Sequence, residues 1–451
     1  MSDNLSLESD QARGWKLRSE GPSLPESYRS IRVTREGTWF RRFLAFAGPG
    51  YLVSVGYMDP GNWATDLGAG SKFGYSLLFV ILISNFIAMF LQALCAKLGI
   101  VGGRDLAQAC RDSYRPWAVK ALWLACEMAI IACDLAEVLG SAIALKLLFG
   151  IPIVWGCVIT VADVLLILLL QNKGFRYIEA VVITLVMTIG ACFAFLIAKA
   201  GPDFGAVMAG FVPRFEALRE TGQLYLAIGI LGATVMPHNL YLHSSIVQTR
   251  DIGTTERDKK QALRFAVLDS SIALLFALFI NSAILIVSAA AFFSSGVGKV
   301  EELADAHRLL APALGAGAAS FVFALALLAS GQNSTLTGTL AGQIVMEGFV
   351  NIRLAPWLRR LTTRLLAVVP AVIVIAIMGE SKVTDLLVLS QVVLSFQLPF
   401  AIFPLVQFTS DRIKMGTFVN RPWVKWAGYS VATAVTMANI WLLVQVFGLS
   451  T

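Results

Sequence analysis

Apolar stretches of about 20 residues recur along almost the whole chain, separated by short polar segments. All but one short stretch, the ninth, are long enough to cross a hydrocarbon core of roughly 30 Å as an α-helix. We therefore predict an all-α integral membrane protein. Its eleven predicted spans lie near residues 43–70, 75–96, 121–145, 152–170, 178–198, 224–247, 266–293, 317–346, 365–379, 384–409 and 426–448.

The composition agrees with a membrane protein, since the 451 residues are 57% hydrophobic and 14% charged, with a mean hydropathy of +0.72. Of the 36 Lys and Arg residues, 28 fall in the tail and loops on one side of the predicted membrane. The positive-inside rule places that side in the cytoplasm. We expect a multi-pass protein of the plasma (inner) membrane, with the N-terminus cytoplasmic and the C-terminus outside. The net charge of +7 is spread over short loops, so no nucleic-acid partner is expected.

Residues 1–42 are polar and mixed in charge, which predicts a flexible cytoplasmic tail. Residues 43–451 then form a single transmembrane domain. The six cysteines lie in or next to spans without CxxC spacing. We interpret them as small apolar core residues rather than as disulfides or metal ligands.

Two of the predicted spans are interrupted by residues that disfavour a continuous helix. The first contains DPGN at 59–62, and the sixth contains GATVMPHN at 232–239, where Pro237 has no backbone N–H. Each interruption alone could be a proline kink that only shapes packing.

The two interruptions match when the chain is divided into repeats. Spans one to five, about 43–198, and spans six to ten, about 224–409, can form an inverted repeat, with the eleventh span, about 426–448, added. Paired breaks at matching positions indicate a transporter binding site near the bilayer midplane.

The residue types at the two breaks suit a transition-metal ion. Asp59 near the membrane centre costs roughly 3 kcal/mol on insertion scales, so its carboxylate should face a cavity or a cation. Asn62 and a freed carbonyl such as that of Ala233 add oxygen donors, which alone would also suit Na⁺, Mg²⁺ or Ca²⁺. Met236 adds a soft thioether, so the set should favour Mn²⁺, Fe²⁺, Co²⁺ or Cd²⁺. The alternative is that Met236 only fills a packing gap.

The third span contains three acidic residues, Glu127, Asp134 and Glu137. Their spacings of seven and three place them on one stripe of a helix. Such a stripe should face cations or water, and protons could pass along it. The alternative is a buried salt-bridge network, which we favour for Glu127 because it lies nearer the start of the helix. Asp59 can itself be the first proton acceptor, because metal binding favours its ionised form.

Two histidines lie at or near the second break. His238 and His243 are about 140° apart around a helix, so they cannot clamp one metal ion. The sequence contains no HExxH motif, which argues against a metalloprotease. We interpret His238 as a proton carrier or a gate of the inner half, and His243 as a packing residue.

DPGN in the first span and MPHN followed by LYLHS in the sixth resemble the signature of the Nramp family of proton-coupled divalent metal transporters, which includes bacterial manganese transporters. The resemblance extends over essentially the whole membrane part. It implies a LeuT-type fold with 11 transmembrane helices, a 5+5 inverted repeat plus one, and discontinuous helices 1 and 6. It also implies that the metal ligands are Asp59, Asn62, the Ala233 carbonyl and Met236, with Gln391 approaching the metal.

Other roles follow only from position in the family. Asp134 and Glu137 match positions assigned to proton transfer, and Arg364 resembles a basic residue paired with a third-span acid. Three amides could line passages or gates, although interhelical hydrogen bonds worth about 0.6 kcal/mol each explain them as well. These amides are Asn85, Gln92 and Asn281.

The chain departs from the family pattern at two positions beside the breaks. Gly56 stands where several relatives have Ala, and Asn239 stands where many bacterial members have an apolar residue. The first departure could loosen the outer wall of the site.

We therefore predict a secondary active transporter, not an enzyme, that imports Mn²⁺ or Fe²⁺, and also Cd²⁺ or Co²⁺, with protons by alternating access. Metal and protons are the transported species; no resident cofactor is expected, and a monomer in the bilayer should suffice. The alternatives are selectivity for Mg²⁺ or a trivalent metal, a channel, or a membrane-bound enzyme. Met236 argues against Mg²⁺, and the lack of a nucleophile–base pair argues against the enzyme. Asp163 and Asp269 receive no role.

Overall fold

A computed structural model describes residues 14–15, 21–33, 36–162, 174–294, 300, 302–315, 317–352 and 355–446. These residues are mostly helical, with one two-stranded sheet. Several helices have proline in the first turn, where its missing N–H costs nothing. They begin at Pro49, Pro60, Pro116, Pro237 and Pro356.

The helices are numbered here in chain order. They are α1 (Trp39–Phe46), α2 (Pro49–Val55), α3 (Pro60–Phe73), α4 (Leu78–Lys97), α5 (Leu106–Arg111), α6 (Pro116–Phe149), α7 (Ile153–Ile159), α8 (Phe175–Ala200), α9 (Phe204–Gly210), α10 (Thr221–Val235), α11 (Pro237–Ile246), α12 (Glu256–Ser288), α13 (Leu303–Leu314), α14 (Ala319–Val350), α15 (Pro356–Met378), α16 (Val383–Thr409), α17 (Arg412–Met415) and α18 (Pro422–Val446). The strands are β1 (Ile31–Arg32) and β2 (Arg250–Asp251).

Seven helices in the described part of the chain are long and apolar enough to cross a membrane. Each of the seven overlaps a predicted span. With the short turns that extend some of them, they cover Leu78–Gly102, Pro116–Phe149, Phe175–Ala200, Glu256–Phe293, Ala319–Val350, Val383–Thr409 and Pro422–Val444. The total of eleven spans stays a prediction.

The other four predicted spans have different forms. The first is divided between α2 and α3, and the sixth between α10 and α11, as the interruptions predict. The fourth begins with α7 and continues into 163–173, which lies outside the described residues, as does Asp163. The ninth span, predicted at 365–379, corresponds to α15. This helix begins nine residues earlier than predicted, because its first turns are too polar to be recognised from the sequence as part of a membrane span.

Both broken spans lie inside the bundle. The two long helices α6 and α14 pack along each other, and α6 also contacts α16. α3 contacts α6, α12 and α16, while α10 and α11 both contact α16. Large apolar side chains such as Phe86, Met187 and Trp441 are exposed, as expected where a helical bundle meets lipid.

Residues 21–33 pack against the helical domain, in contrast to the flexible tail predicted from composition. Ile31–Arg32 pairs in parallel with Arg250–Asp251, which follows α11. Ser23 Oγ donates a hydrogen bond to Asp105 Oδ2. Leu24 and Ile31 are buried in the hydrophobic core. Composition misses these contacts because their partners lie in distant parts of the chain.

Candidate functional site

The first break is organised by Asp59. The 3-10 turn Gly56–Met58 ends at Asp59, and α3 begins at the next residue. The Asp59 backbone is extended, with φ −68° and ψ 165°, and its Oδ1 accepts a hydrogen bond from the Asn62 N–H at 2.8 Å. This is N-capping by a carboxylate. One fully buried residue thus separates the two helical halves and caps the second.

The second break follows from Pro237. In a continuous helix the N–H of residue 237 would bond to the Ala233 carbonyl, but proline has no N–H. α10 ends at Val235 and α11 begins at Pro237, with Met236 between them. Among the described residues, no side chain caps the start of α11. The Ala233 carbonyl is therefore released from helical bonding to that position, as required of a ligand oxygen.

Asn62 connects the two breaks. Its Nδ2 donates to Asp59 Oδ1 at 2.6 Å, to the Ala233 carbonyl at 3.2 Å and to the Gly56 carbonyl at 3.4 Å. Its Oδ1 accepts a hydrogen bond from Asn281 Nδ2 at 3.4 Å. Three acceptor oxygens from two broken helices thus converge on one donor group. A cation can take the place of that donor when the amide turns to present its oxygen.

Gln391 on α16 lies against both breaks. A Cβ added to Gly61 would be 1.7 Å from the side-chain Nε2 of Gln391. One added to Gly232 would be 2.2 Å from the backbone carbonyl oxygen of Gln391. Glycine at both positions therefore allows α16 to approach the broken helices. Within the described part of the chain, Gln391 Oε1 has no hydrogen-bond partner, and the side chain lies near the Asp59 carboxylate.

Met236 is fully buried at the second break in apolar surroundings. It clusters with Ala129 and Cys133 of α6 and with Leu394 of α16. The structure therefore places the residue where the sequence predicts it. These contacts fit the packing interpretation, and they also fit a ligand that turns from the apolar wall toward an ion.

Gly56 and Asn239, the two departures from the family pattern, face each other across the breaks. A Cβ on Gly56 would lie 2.1 Å from Asn239 Nδ2. Asn239 is fully buried, and neither of its side-chain polar atoms has a hydrogen-bond partner among the residues that the structure describes. The missing methyl group at position 56 makes room for the amide at 239.

Arg364 joins the third span to α14. Its Nη1 lies 3.3 Å from Glu137 Oε2 and 3.5 Å from the Asp134 carbonyl oxygen, and its Nη2 donates to Thr335 Oγ1 at 2.6 Å. Thr335 Oγ1 donates in turn to Glu137 Oε2 at 3.2 Å. All four residues are buried. Sequence reasoning pairs Arg364 with a third-span acid, but it misses Thr335, because hydroxyl residues are common where membrane helices pack closely.

Cys133 links the second break to this acidic network. Its Sγ lies 3.9 Å from His238 Nε2 and 3.7 Å from Glu137 Oε1, and the residue packs against Met236. Sequence analysis assigns it to the apolar core, because a single cysteine in an apolar span has no distinguishing pattern. His238 and Glu137 thus share a thiol neighbour.

Gln92 connects the two broken spans a second time. Its Nε2 donates to the Tyr57 hydroxyl at 2.7 Å, and its Oε1 lies 2.9 Å from His243 Nδ1. Asn281 Nδ2 also donates to the Tyr57 carbonyl at 2.8 Å. His243, expected to be a packing residue, is therefore part of a polar bridge between the breaks. Tyr57 has no signal in the sequence beyond its place beside DPGN.

Asn85 and Glu127 make more local contacts. Asn85 Nδ2 donates to the Leu274 carbonyl at 3.0 Å, which is an interhelical hydrogen bond. Glu127 is half-buried and accepts a hydrogen bond from Trp123 Nε1, one turn earlier in the same helix, at 3.1 Å. It lies about 15 Å along the helix axis from Glu137.

Asp269, which receives no role from the sequence, anchors the start of the first broken span. Its Oδ2 accepts from the Gly50 N–H at 2.7 Å, and both oxygens lie 3.2 Å from the Gly48 nitrogen. These amides flank the first residue of α2. The partners are backbone groups more than 200 residues away, so no local pattern could indicate them.

The candidate donor set mixes hard and soft atoms. It comprises one carboxylate, two amides, one backbone carbonyl and one thioether. In the described ranges no group of three His, Cys, Asp or Glu side chains is arranged to hold a metal ion, so the set differs from the usual clusters of zinc ligands.

The architecture is that of the LeuT-type fold, as expected. The structure of Mhp1, a nucleobase-cation-symport-1 family transporter, aligns with 94% of this chain and 94% of its own, with a TM-score of 0.56. At 15% sequence identity this similarity concerns the fold alone.

Within that class, the chain belongs to the Nramp family. The family model described as "Natural resistance-associated macrophage protein-like" matches residues 50–445. A relative from Nostoc sp., named divalent metal cation transporter MntH, is 61% identical over 424 residues, which are 94% of this chain and 96% of the relative. The crystal structure of the Eremococcus coleocola manganese transporter matches with a TM-score of 0.87 and 41% identity, covering 95% of this chain and 93% of its own. The family resemblance is confirmed.

Proposed function

We propose that this chain imports divalent transition-metal ions, Mn²⁺ or Fe²⁺ and also Cd²⁺ or Co²⁺, in symport with protons. The relatives are named for divalent metal cation transport and manganese transport, which supports the substrate class. The convergence of Asp59 Oδ1 and the Ala233 carbonyl on the Asn62 amide carries the proposal. It unites oxygen donors from both broken helices in a buried position.

In this proposal each donor has a distinct part in holding the metal. Asp59 supplies the negative charge, and Asn62 and Ala233 supply neutral oxygens from the two breaks. Gln391 supplies a further oxygen from α16, where its Oε1 is not otherwise engaged among the described residues. Met236 supplies the thioether that hard cations gain little from.

Alternating access needs the two broken spans to move relative to their surroundings while the site stays at their junction. The Gln92 bridge between Tyr57 and His243 joins one half of each span. We infer that these halves move together and that Gln92 closes the passage between them. Asn281, bonded to both Tyr57 and Asn62, and Asn85, bonded to α12, belong to the surrounding frame.

The proton path begins at Asp59, because a metal ion binds the ionised carboxylate and displaces its proton. His238 follows the metal break, and the thiol of Cys133 lies between its ring and Glu137. Arg364 and Thr335 hold the Glu137 carboxylate in place.

We also assign two further acidic residues, Asp134 and Glu127, to this proton path. Asp134, through its carbonyl, contacts the same guanidinium as Glu137. Glu127, which bonds within its own helix, is the outlying member.

The test is uptake of Mn²⁺ into proteoliposomes with and without an inward proton gradient. We expect accumulation that the gradient drives, saturation with Mn²⁺, and no uptake by Asp59→Asn. Uptake that ignores the gradient would contradict symport, and uptake by Asp59→Asn would contradict the site. Single-channel currents would favour a channel.

A further inference from the structure

Asp66 is a buried carboxylate to which nothing above assigns a role. It lies in α3 and is 1% exposed. Neither Oδ1 nor Oδ2 has a hydrogen-bond partner in the described part of the chain. Burial of a carboxylate without a partner is strongly unfavourable, so a buried position of this kind in a membrane protein points to a functional site.

Three other buried acidic residues, Asp59, Asp269 and Glu137, have hydrogen-bond partners. Asp59 accepts from Asn62, Asp269 from two glycine amides, and Glu137 from Arg364 and Thr335. Asp66 therefore differs from these three residues, because hydrogen bonds within the described part of the chain do not explain the burial of its carboxylate.

The position of Asp66 relates it to the candidate metal site. Asp59, Asn62 and Asp66 have spacings of three and four, so they lie along one face of α3. Asp66 lies about 6 Å farther along the helix axis than Asn62. With the N-terminus inside, α3 is the outer half of the first span. Asp66 is then on the external side of the site.

The neighbouring polar groups on this half of α3 are used in packing. Ser288 Oγ donates to the Leu67 carbonyl at 2.7 Å, and Ser71 Oγ donates to the Val300 carbonyl at 3.0 Å. Thr65 Oγ1 donates to the Asn62 carbonyl at 3.0 Å. These hydroxyl groups all have backbone carbonyl partners, whereas the two Asp66 oxygens have no partner in the described part of the chain.

We propose that Asp66 is an outer, low-affinity divalent-cation site that the metal ion occupies before it reaches Asp59. The inference rests on the transport function proposed above. A single carboxylate without a soft ligand should bind Mn²⁺ and Mg²⁺ alike, so discrimination is left to the inner site. Its charge raises the local cation concentration and thereby the rate of entry.

The test compares Asp66→Asn with Asp66→Glu and with Ser71→Ala, a buried hydroxyl on the same half of α3. For Asp66→Asn we expect KM for Mn²⁺ uptake to rise about tenfold, with kcat within about twofold. The association and dissociation rates of Mn²⁺ should both fall, while the equilibrium Kd of the inner site stays within about twofold. Asp66→Glu should restore KM, and Ser71→Ala should resemble wild type.

Three results would overturn the proposal. The first is an unchanged KM in Asp66→Asn. The second is a lower kcat together with lower thermal stability at unchanged KM, which would make Asp66 structural. The third is a shifted pH profile of uptake at unchanged KM, which would make it a proton carrier. Wild-type protein that does not transport Mn²⁺ would remove the proposed function as well, whereas an active wild type beside an unaffected Asp66→Asn would remove only this inference.

Discussion

The break in the first span contains its own cap, and the break in the sixth does not. Asp59 ends one helical half and caps the next through the Asn62 N–H. At the other break Pro237 removes a hydrogen bond and no described side chain replaces it. His238 Nδ1 and both polar atoms of Asn239 lack partners among the described residues as well.

This difference suggests a division of labour between the breaks. The first presents a carboxylate and an amide already held in position, so little reorganisation is needed before an ion binds. The second presents a carbonyl, a thioether and polar groups that are not yet paired, so it is the one that can rearrange. We expect changes at the first break to affect affinity, and changes at the second to affect selectivity and coupling.

The largest effect should come from Asp59→Asn, with Mn²⁺ affinity falling about 100-fold or more. Asparagine is as good an N-cap as aspartate, so the substitution removes the ligand charge while leaving α3 capped. The measurement is equilibrium Mn²⁺ binding by titration calorimetry. Asp269→Asn is the matched control, since that aspartate is equally buried and also accepts backbone N–H groups, and it should change affinity less than about threefold. A loss below tenfold in Asp59→Asn would mean that the first break does not set affinity.

Met236→Ala should change selectivity more than affinity. We expect Cd²⁺ binding to weaken about tenfold, Mn²⁺ binding to weaken less, and excess Mg²⁺ to become a competitor of Mn²⁺ uptake, because the soft ligand is lost. Leu394→Ala is the control, since it belongs to the same apolar cluster and has no donor atom. Equal selectivity in the two variants would favour the packing interpretation of Met236.

Local chemistry made the breaks predictable. DPGN and MPHN contain a helix-capping acid and prolines whose effects act within four residues, so Asp59, Asn62 and the Ala233 carbonyl could be predicted as candidate ligands before any fold was known. These groups lie close together because matched breaks in the two inverted halves of a repeat face each other.

The groups that sequence analysis missed depend on long-range partners. Cys133, Thr335 and Asp269 have ordinary residue types for their spans, and their contacts lie on other helices. Asp66 differs by having no hydrogen-bond partner among the described residues, which only a structure reveals. The packed segment 21–33 was missed because its partners, β2 and Asp105, lie far away in the chain.

Gly56→Ala tests whether the two breaks are fitted to each other. The new methyl group would meet the Asn239 amide, so we expect the transport rate to fall about fivefold, in line with the cost of overpacking a buried contact. Gly56→Ala combined with Asn239→Ala should recover most of the rate. The measurement is initial Mn²⁺ uptake. A neutral single variant, or a double variant no better than the single, would show that the breaks are not coupled at this contact.

The smallest expected effect concerns a second capping carboxylate, outside the membrane. Asp105 caps α5 through the Gln108 N–H at 2.9 Å, as Asp59 caps α3, and it also accepts from Ser23 of the N-terminal segment. Burial raises the pKa of Asp105 from its ordinary 3.8 to about 6, although hydrogen bonds from Gln108 and Ser23 oppose the shift. Because the buried form holds its proton more tightly, the packed state loses stability as the pH rises from about 4 to 6.

Hydrogen exchange of residues 21–33, corrected for intrinsic rates, should show this loss. We expect protection to fall about threefold between pH 4.5 and 7 in wild type, since the segment covers only part of the Asp105 surface. Asp105→Asn should give a flat profile, because asparagine keeps the cap without a titrating group. Protection that increases with pH would contradict the expected loss of stability. It would show that the hydrogen bonds to the ionised Asp105 carboxylate outweigh its burial.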